Sequence, residues 1–351
     1  MEASRKIIVI GGAGFIARAF IQEVSKTYTV ISFDKKTPTK IFPEEHFTEC
    51  DLGKKEDIEV IKDCIKKEVE SLHGIVFLAA YYDFSNKPNP FYQDVYNGFC
   101  DLVDFHSETL PSTIKFIFSS SMASMLPTTP GIKQTEDSPR KGMWQYPYWK
   151  LEMEKYLEGK KLQHPFFSLV LAAVYSDNIE IVPLYHLVKN VSEKKIERFF
   201  YPSDTNRGLT YVHLDDVVKL LLKVIENDTF ERGYHRFLIG EEEALTYHDI
   251  HSNSSKIFLN QKGVIIKIPK SLTLFGAKFL GFLSSLLNKR RFVQAWMIEL
   301  SDEHYEFDIS KVRNELGWQP ERNIKEELPK LLQAAKDNYE TWKTINEKRP
   351  W

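Results

Sequence analysis

Short apolar, β-branched runs alternate with longer segments of helical periodicity through the first half of the chain. The runs predict strands at 6–10, 28–33, 73–79, 114–119 and 166–171. Between them, apolar residues recur every three to four positions and predict helices at 14–25, 54–70, 91–106 and 148–160. Such alternation requires helical crossovers between parallel strands, so we expect an α/β fold with a doubly wound parallel sheet. The strands are nearly all apolar, as expected when both faces of a sheet are covered.

The regular alternation of predicted strands and helices ends at about residue 175. Strands are predicted at 208–213 and 234–240 around a helix from Asp215 to Asn227, and a charged helix is predicted at 323–345. No linker rich in glycine, serine or proline separates the halves. We therefore expect residues 176–351 to form a smaller lobe that is interleaved with the sheet of residues 1–175 rather than an independent domain.

Composition excludes several classes of protein. The chain has 351 residues, with 47 Lys and Arg against 49 Asp and Glu, so it lacks the basic excess that a nucleic-acid partner requires. Its three cysteines form no CxxC pair, which favours a reducing compartment. The pair His248 and His251 has no evident third ligand, so no metal is predicted. The longest apolar segment is too short to span a bilayer, and we expect a cytoplasmic protein.

A glycine-rich loop follows the first predicted strand. Gly11, Gly12 and Gly14 open the first helix, where close backbone approach and free N–H groups suit a pyrophosphate. Asp34 ends the second strand, 23 residues after Gly11, where an acid accepts hydrogen bonds from both adenosine ribose hydroxyls and repels a 2′-phosphate. Loop and acid together predict a dinucleotide site that prefers NAD to NADP.

The stretch QYPYWK, residues 145–150, holds two tyrosines ahead of a lysine. Helical residues four apart share a face and residues two apart do not, so Tyr146 rather than Tyr148 is predicted beside Lys150. A phenol titrates near pH 10, and a nearby ammonium group lowers its pKa toward neutrality. The structural alternative is that Tyr146 and Trp144 simply pack beneath the start of a helix.

Seven segments resemble, in order along the chain, the extended short-chain dehydrogenase/reductase family, NAD-dependent epimerase/dehydratase type. They are GGAGFIA at 11–17, DL at 51–52, VFLAA at 76–80, FIFSSS at 116–121, Tyr146-x-x-x-Lys150, YVHLDDVV at 211–218 and ISKVRNELGWQP at 309–320. The resemblance covers residues 5 to 335, nearly the whole chain. It implies a Rossmann-type doubly wound parallel sheet that binds NAD in residues 1–175, with a smaller C-terminal α/β lobe that mainly binds substrate.

The resemblance also implies the site residues. Tyr146 would take a hydroxyl proton as hydride leaves the adjacent carbon for the nicotinamide, Lys150 would lower the tyrosine pKa and hold the nicotinamide ribose, and Ser121 would bond the reacting oxygen. The implied NAD-binding residues are Gly11, Gly12, Ala13, Gly14, Phe15, Ile16, Asp34, Lys35, Asp51, Leu52, Leu78, Ala79, Ala80, Ser119, Tyr146 and Lys150. Many proteins of this family pair through helices beside the sheet, so a homodimer is expected.

These residues predict an NAD-dependent oxidoreductase that transfers hydride to or from a small secondary alcohol or ketone. Two alternatives stay open: a sugar-nucleotide epimerase or dehydratase that uses NAD transiently, and a catalytically retired nucleotide sensor. Val170 and Ala173 stand where sugar-nucleotide enzymes of the family often carry arginine and asparagine, Val95 replaces a frequent asparagine, and Trp149 fills a usually small position. These departures argue against a nucleoside-diphosphate sugar.

The apolar segment 270–287 allows three hypotheses. Its stripe has helical spacing and ends at the basic run NKRR, 288–291. The stripe consists of Leu272, Phe275, Phe279, Phe282 and Leu286. It could be core, a lid over a lipid-like or steroid-like substrate, or a helix resting on a membrane surface.

Overall fold

The computed structural model describes residues 5–276 and 293–348. Its strands are β1 (Lys6–Ile10), β2 (Thr29–Asp34), β3 (Glu45–Glu49), β4 (Leu72–Phe77), β5 (Lys115–Ser121), β6 (Pro165–Leu171), β7 (Ala173–Tyr175), β8 (Phe200–Tyr201), β9 (Gly208–Leu209), β10 (Tyr211–His213), β11 (Gly233–Ile239), β12 (Leu245–Thr246) and β13 (Ile266–Lys267). Its helices are α1 (Phe15–Val24), α2 (Lys55–Glu68), α3 (Pro90–Thr109), α4 (Gln145–Glu158), α5 (Val182–Ser192), α6 (Leu214–Glu226), α7 (Tyr247–Leu259), α8 (Ala295–Glu299), α9 (Ser310–Leu316), α10 (Ile324–Asp337) and α11 (Tyr339–Glu347). Two 3-10 turns, Met122–Ser124 and Ile196–Phe199, and a helical stretch at 270–276 complete the described elements.

The central sheet has seven parallel strands in the order β11-β6-β5-β4-β1-β2-β3. This confirms the predicted Rossmann-type doubly wound sheet, whose two directions of winding diverge at β1 and β4. The sequence pattern missed β3, because this edge strand buries only Glu45 completely and carries no apolar run. β11 comes from the second half of the chain and pairs with β6, so the sheet extends beyond residue 175.

Helices cover both faces of the sheet. One face carries α2, α3 and α4, and its buried cluster includes Phe77, Phe99, Phe116 and Phe118. The opposite face carries α1 and α6, and its cluster continues into α10 of the C-terminal half. The predicted strand at 208–213 is divided at Thr210 into β9, which pairs antiparallel with β12, and β10, which pairs in parallel with β7. The crossovers therefore bring the carboxyl ends of the sheet strands to one edge.

The C-terminal half covers that edge. β8 pairs with β13, and the helical stretch at 270–276 follows directly. Leu272 and Phe275 of the predicted apolar stripe are 60% and 71% exposed, whereas Phe279, Phe282 and Leu286 lie outside the described residues. None of the described helices is long and apolar enough to cross a membrane.

Candidate active site

A cavity of about 1730 Å³ runs along the carboxyl edge of the sheet and continues beneath the C-terminal half. Ligands of open α/β sheets collect at this edge. The predicted residues on its wall are Gly11, Ala13, Gly14, Phe15, Ile16, Asp34, Lys35, Asp51, Leu52, Leu78, Ala79, Ala80, Ser119, Ser121, Tyr146 and Lys150. The fold thus brings almost the whole predicted site to one space.

The exception is Gly12, which does not line the cavity. A Cβ at Gly12 would lie 2.8 Å from the Cβ of Ser32, so this glycine lets the loop pack against β2. Gly11 has φ +89°, and a Cβ there would lie 2.5 Å from the backbone nitrogen of Ala79. Gly14 precedes α1, and the first turn of that helix lines the cavity. A helix N-terminus directs backbone N–H groups along its axis, which suits a pyrophosphate.

Asp34 is fixed at the cavity edge by two backbone donors. Its Oδ2 accepts from Ala13 N at 3.0 Å, and its Oδ1 accepts from Lys36 N at 2.9 Å. A carboxylate has about four lone-pair positions, so acceptor capacity is left for ribose hydroxyls. Behind the loop, Arg18 donates to Gly12 O at 3.1 Å and to the buried carboxylate of Glu45 at 2.7 Å. These residues fit the adenosine half of NAD. The contact of Glu45 with Arg18 was not predicted, because β3 itself was not predicted.

Two neighbouring elements present the candidate catalytic side chains. β5 ends at Ser121, and α4 begins at Gln145, which places Tyr146 in its first turn and Lys150 one turn later. Tyr146 and buried Lys150 reach the cavity, whereas Tyr148 is 46% exposed. The helix register therefore directs Tyr146, and not Tyr148, toward Ser121.

The ionisation of this group departs from one expectation. Burial raises the pKa of Tyr146 to about 12, although a hydrogen bond with Ser121 opposes the rise. Burial also lowers the pKa of Lys150 to about 7, opposed by the nearby Glu154 carboxylate. The sequence predicted that Lys150 would lower the phenol pKa. Instead Lys150 Nζ donates to Ser119 O at 2.7 Å and lies 5.9 Å from the Tyr146 ring centroid.

Glu154, one turn beyond Lys150, holds the parts of the site together. It is completely buried and accepts hydrogen bonds from four side chains. The donors are Ser120 Oγ, Ser124 Oγ at 3.1 Å, Arg236 Nε at 2.7 Å and Arg140 Nη1 at 3.2 Å. The two serines flank Ser121, so Glu154 joins α4 to the strand end that carries the candidate serine. The i, i+4 spacing from Lys150 was the local signal for this residue.

Aromatic rings surround Tyr146 on the substrate side. Tyr82 packs edge-on against Tyr146 with ring centroids 4.7 Å apart, and Trp144 stacks on Trp296 at 4.9 Å. Trp296 Nε1 donates to Phe84 O at 3.2 Å, which ties α8 to the loop after β4. The rings come from three segments that are distant in the sequence, so no local pattern predicted that they would cluster. Their faces suit an apolar ring or the C–H face of a sugar.

The four residues that depart from the family pattern differ in whether they line the cavity. Val170 lies inside β6, fully buried, and is not on the cavity wall. Ala173 and Val95 do line the cavity. Trp149 packs against Tyr96 with centroids 5.5 Å apart. Ala173 and Val95 therefore replace possible substrate contacts with apolar groups, and Trp149 lines a small pocket with Tyr146 and Lys150.

The comparisons with known proteins agree with this geometry. The sequence model of the NAD dependent epimerase/dehydratase family matches residues 7–240, about two thirds of the chain. A search of curated protein sequences finds no significant match.

Solved structures are similar over nearly their whole length. UDP-glucose 4-epimerase of Thermotoga maritima, solved with UDP-glucose, is 19% identical with a TM-score of 0.69, covering 95% of this chain and 99% of the other. dTDP-glucose 4,6-dehydratase of Bacillus anthracis, solved with NAD, is 19% identical with a TM-score of 0.69, covering 97% and 100%. UDP-glucuronic acid 4-epimerase of Bacillus cereus, solved with UDP-glucuronic acid and NAD, is 18% identical with a TM-score of 0.68, covering 96% of this chain and 99% of the other. At these identities the likeness establishes the fold.

Proposed function

This chain belongs to the NAD dependent epimerase/dehydratase family, and from that premise we propose that it catalyses an NAD-dependent epimerase or dehydratase reaction at a secondary alcohol. The observation that carries the proposal is the meeting of Ser121, Tyr146 and Lys150 on the wall of the cavity that also holds the glycine loop and Asp34. A retired nucleotide sensor would have no chemical reason to keep these three side chains together.

The cofactor half of the cavity suits NAD in each part. The N-terminus of α1 and the glycine loop would bind the pyrophosphate, and Asp34 would accept from the adenosine ribose. Lys150 would donate to the nicotinamide ribose. NAD, when bound, supplies the carbon that accepts hydride from the substrate and returns it.

The protein residues would move and hold the proton. Ser121 would donate to the substrate oxygen and orient it, while the Tyr146 oxygen takes the hydroxyl proton and later gives it back. The pKa of Tyr146 is about 12, so a positive charge must lie nearby for the phenol to act as a base near neutrality. The ammonium form of Lys150, one turn along α4, would supply that charge, and because burial lowers the pKa of Lys150 to about 7, this form is about half populated near neutrality.

A sugar nucleotide is the substrate class with the most support. Two of the similar structures were solved with UDP-glucose or UDP-glucuronic acid. The far end of the cavity presents Arg198 and Lys195, which suit a diphosphate, beside Glu197, and Lys195 also pairs with Glu193. Its aromatic end suits the apolar face of a sugar ring. Because an epimerase or dehydratase returns its hydride, NADH would not accumulate.

The test uses UDP-glucose, UDP-glucuronic acid and dTDP-glucose as substrates, with product followed by NMR and NADH by absorbance. We expect product without net NADH. Tyr146→Phe should keep NAD binding and lower the rate by about 10²–10⁴-fold, the usual contribution of an acid–base group. Tyr148→Phe, on the exposed face, is the matched control and should stay near wild type.

Two results would contradict the proposal. NADH formed in proportion to product would identify a dehydrogenase. A slow Tyr148→Phe variant beside an active Tyr146→Phe variant would overturn the catalytic assignment.

A further inference from the structure

The stretch from residue 196 to residue 293 carries a large share of the exposed apolar side chains. Half of the large hydrophobic side chains that are exposed in the described residues lie between positions 196 and 293. These seven, which we call the apolar rim, are Ile196, Phe200, Val264, Ile266, Leu272, Phe275 and Val293. Exposed patches of this kind on a folded chain mark interaction surfaces.

Secondary structure makes the rim one surface. Phe200 of β8 pairs directly with Ile266 of β13. After β13 the chain turns into the helical stretch at 270–276, where Leu272 and Phe275 are three residues apart and share a face. Phe200, Leu272 and Val293 also line the large cavity. These three residues place the rim beside the lobe end of that cavity.

The rim is flanked by cations. Residues 194–201 and 262–276 contain six Lys or Arg and one acidic residue, Glu197, in a chain whose formal net charge is −2. Lys195 pairs with Glu193, and Lys270 pairs with Asp302. Arg198 lines the cavity, and the other three, Lys194, Lys262 and Lys267, form no ion pair with any residue in the described ranges. Their charge is available to an anionic partner.

This combination decides between possible partners. A second copy meeting the rim through a two-fold axis would bring the same unpaired cations together, which is unfavourable. Apolar side chains set among lysines match the boundary between anionic headgroups and acyl chains. We propose that the apolar rim docks on an anionic lipid surface. The proposal is independent of the reaction at Tyr146.

The experiment measures binding of the full chain to vesicles by co-sedimentation. Vesicles of 70:30 phosphatidylcholine and phosphatidylglycerol should bind the protein, and pure phosphatidylcholine should bind it far less. Ile266→Ser with Phe275→Ser should lower the partition coefficient about tenfold or more, from lost apolar burial. Ile132→Ser with Val60→Ser, at exposed positions away from the rim, is the matched control and should leave it unchanged.

A second pair of variants tests the charges. Lys262→Gln and Lys267→Gln should each lower the partition coefficient about fivefold, the effect of one cation near an anionic surface. Lys55→Gln and Lys161→Gln, which change exposed lysines elsewhere, should have little effect. High salt should remove the difference between the two pairs.

Several outcomes would overturn the proposal. Equal vesicle binding by rim and control variants would show that the rim takes no part, as would failure of wild type to bind anionic vesicles. A concentration-dependent dimer in sedimentation velocity that Phe275→Ser dissociates would identify a contact between copies instead. A melting temperature much lower in the rim variant than in the control would show that the rim is covered within the folded chain.

Discussion

The two ends of the large cavity are built by opposite means. At the sheet end, Glu154 and Lys150 are buried, and their polar atoms bond to neighbouring strands. At the lobe end, two-residue strands and a short helical stretch present exposed apolar side chains such as Phe275. Proton transfer requires atoms held within a few tenths of an ångström, and buried hydrogen bonds provide that precision. A surface that docks on lipid needs exposed apolar area and positive charge more than it needs fixed atomic positions.

The contrast is also one of energy. A buried carboxylate with four donors leaves uncompensated charges behind when it is removed. Replacing an exposed phenylalanine lowers the free energy of unfolding only slightly, because little of its area is buried. The following changes therefore should have effects of decreasing size from the sheet end to the rim.

Glu154→Ala should have the largest effect. It leaves the buried guanidinium of Arg236 without its carboxylate and should lower the free energy of unfolding by about 3–5 kcal/mol. Glu158→Ala, which also removes a partner of Arg140 but at a partly exposed site, should cost about 0–1 kcal/mol. Urea denaturation measures both. Similar losses in the two variants would mean that Glu154 is no more important than a surface ion pair.

Acid should destabilise the sheet through a buried histidine, His106, which packs against Phe116 and Phe166 near the amino ends of β5 and β6. Burial lowers the pKa of His106 to about 3, below the value near 6.5 of an unfolded chain. A folded-state pKa that is depressed contributes stability that is complete above pH 6.5 and is lost as pH falls toward 3. At pH 5 the loss should be about 2 kcal/mol relative to pH 7.

The histidine variants are compared by how steeply their free energy of unfolding changes with pH, not by its absolute value. His106→Phe should flatten the decline in unfolding free energy between pH 6.5 and pH 4. His46→Gln, at an exposed position, should keep the wild-type slope. An unchanged slope in His106→Phe would assign the acid sensitivity to other groups.

Cofactor choice should depend on one carboxylate at the sheet end. Asp34 lies on the cavity wall, where its charge would repel a 2′-phosphate, so NADH should bind about tenfold more tightly than NADPH or better. Asp34→Ala should reduce this preference, whereas Asp101→Ala, on the exposed side of α3, should not. Nucleotide fluorescence titration measures the affinities. Equal binding of both nucleotides by wild type would refute the role of Asp34.

Phe275→Ser should have the smallest effect on stability. Phe275 is 71% exposed, so the free energy of unfolding should change by about 0.5 kcal/mol or less. Phe99→Ala, on the buried face of α3, should lower the free energy of unfolding by about 3–5 kcal/mol in the same urea titration. A large loss in Phe275→Ser would show that the two ends of the cavity are packed alike.

Local pattern in the sequence determined much of the fold and part of the site. Hydrophobic runs placed β1, β2, β4, β5 and β6, because strands buried on both faces must be apolar. The four-residue spacing placed Tyr146 and Lys150 on one helical face, because 3.6 residues make a turn. The glycine loop predicted a close backbone approach, which Gly11 makes against Ala79. Each of these features depends on neighbours along the chain.

Tertiary structure decided the rest. β3 is a polar edge strand, and its position depends on pairing with β2 and on the contact of Glu45 with Arg18. Glu154 receives donors from β5, from the loop at Arg140 and from β11, up to 82 residues away. The aromatic wall and the unpaired cations of the rim are likewise assembled from separate segments. Such contacts arise only when the chain closes, since no periodicity in a local window specifies which distant side chains will meet.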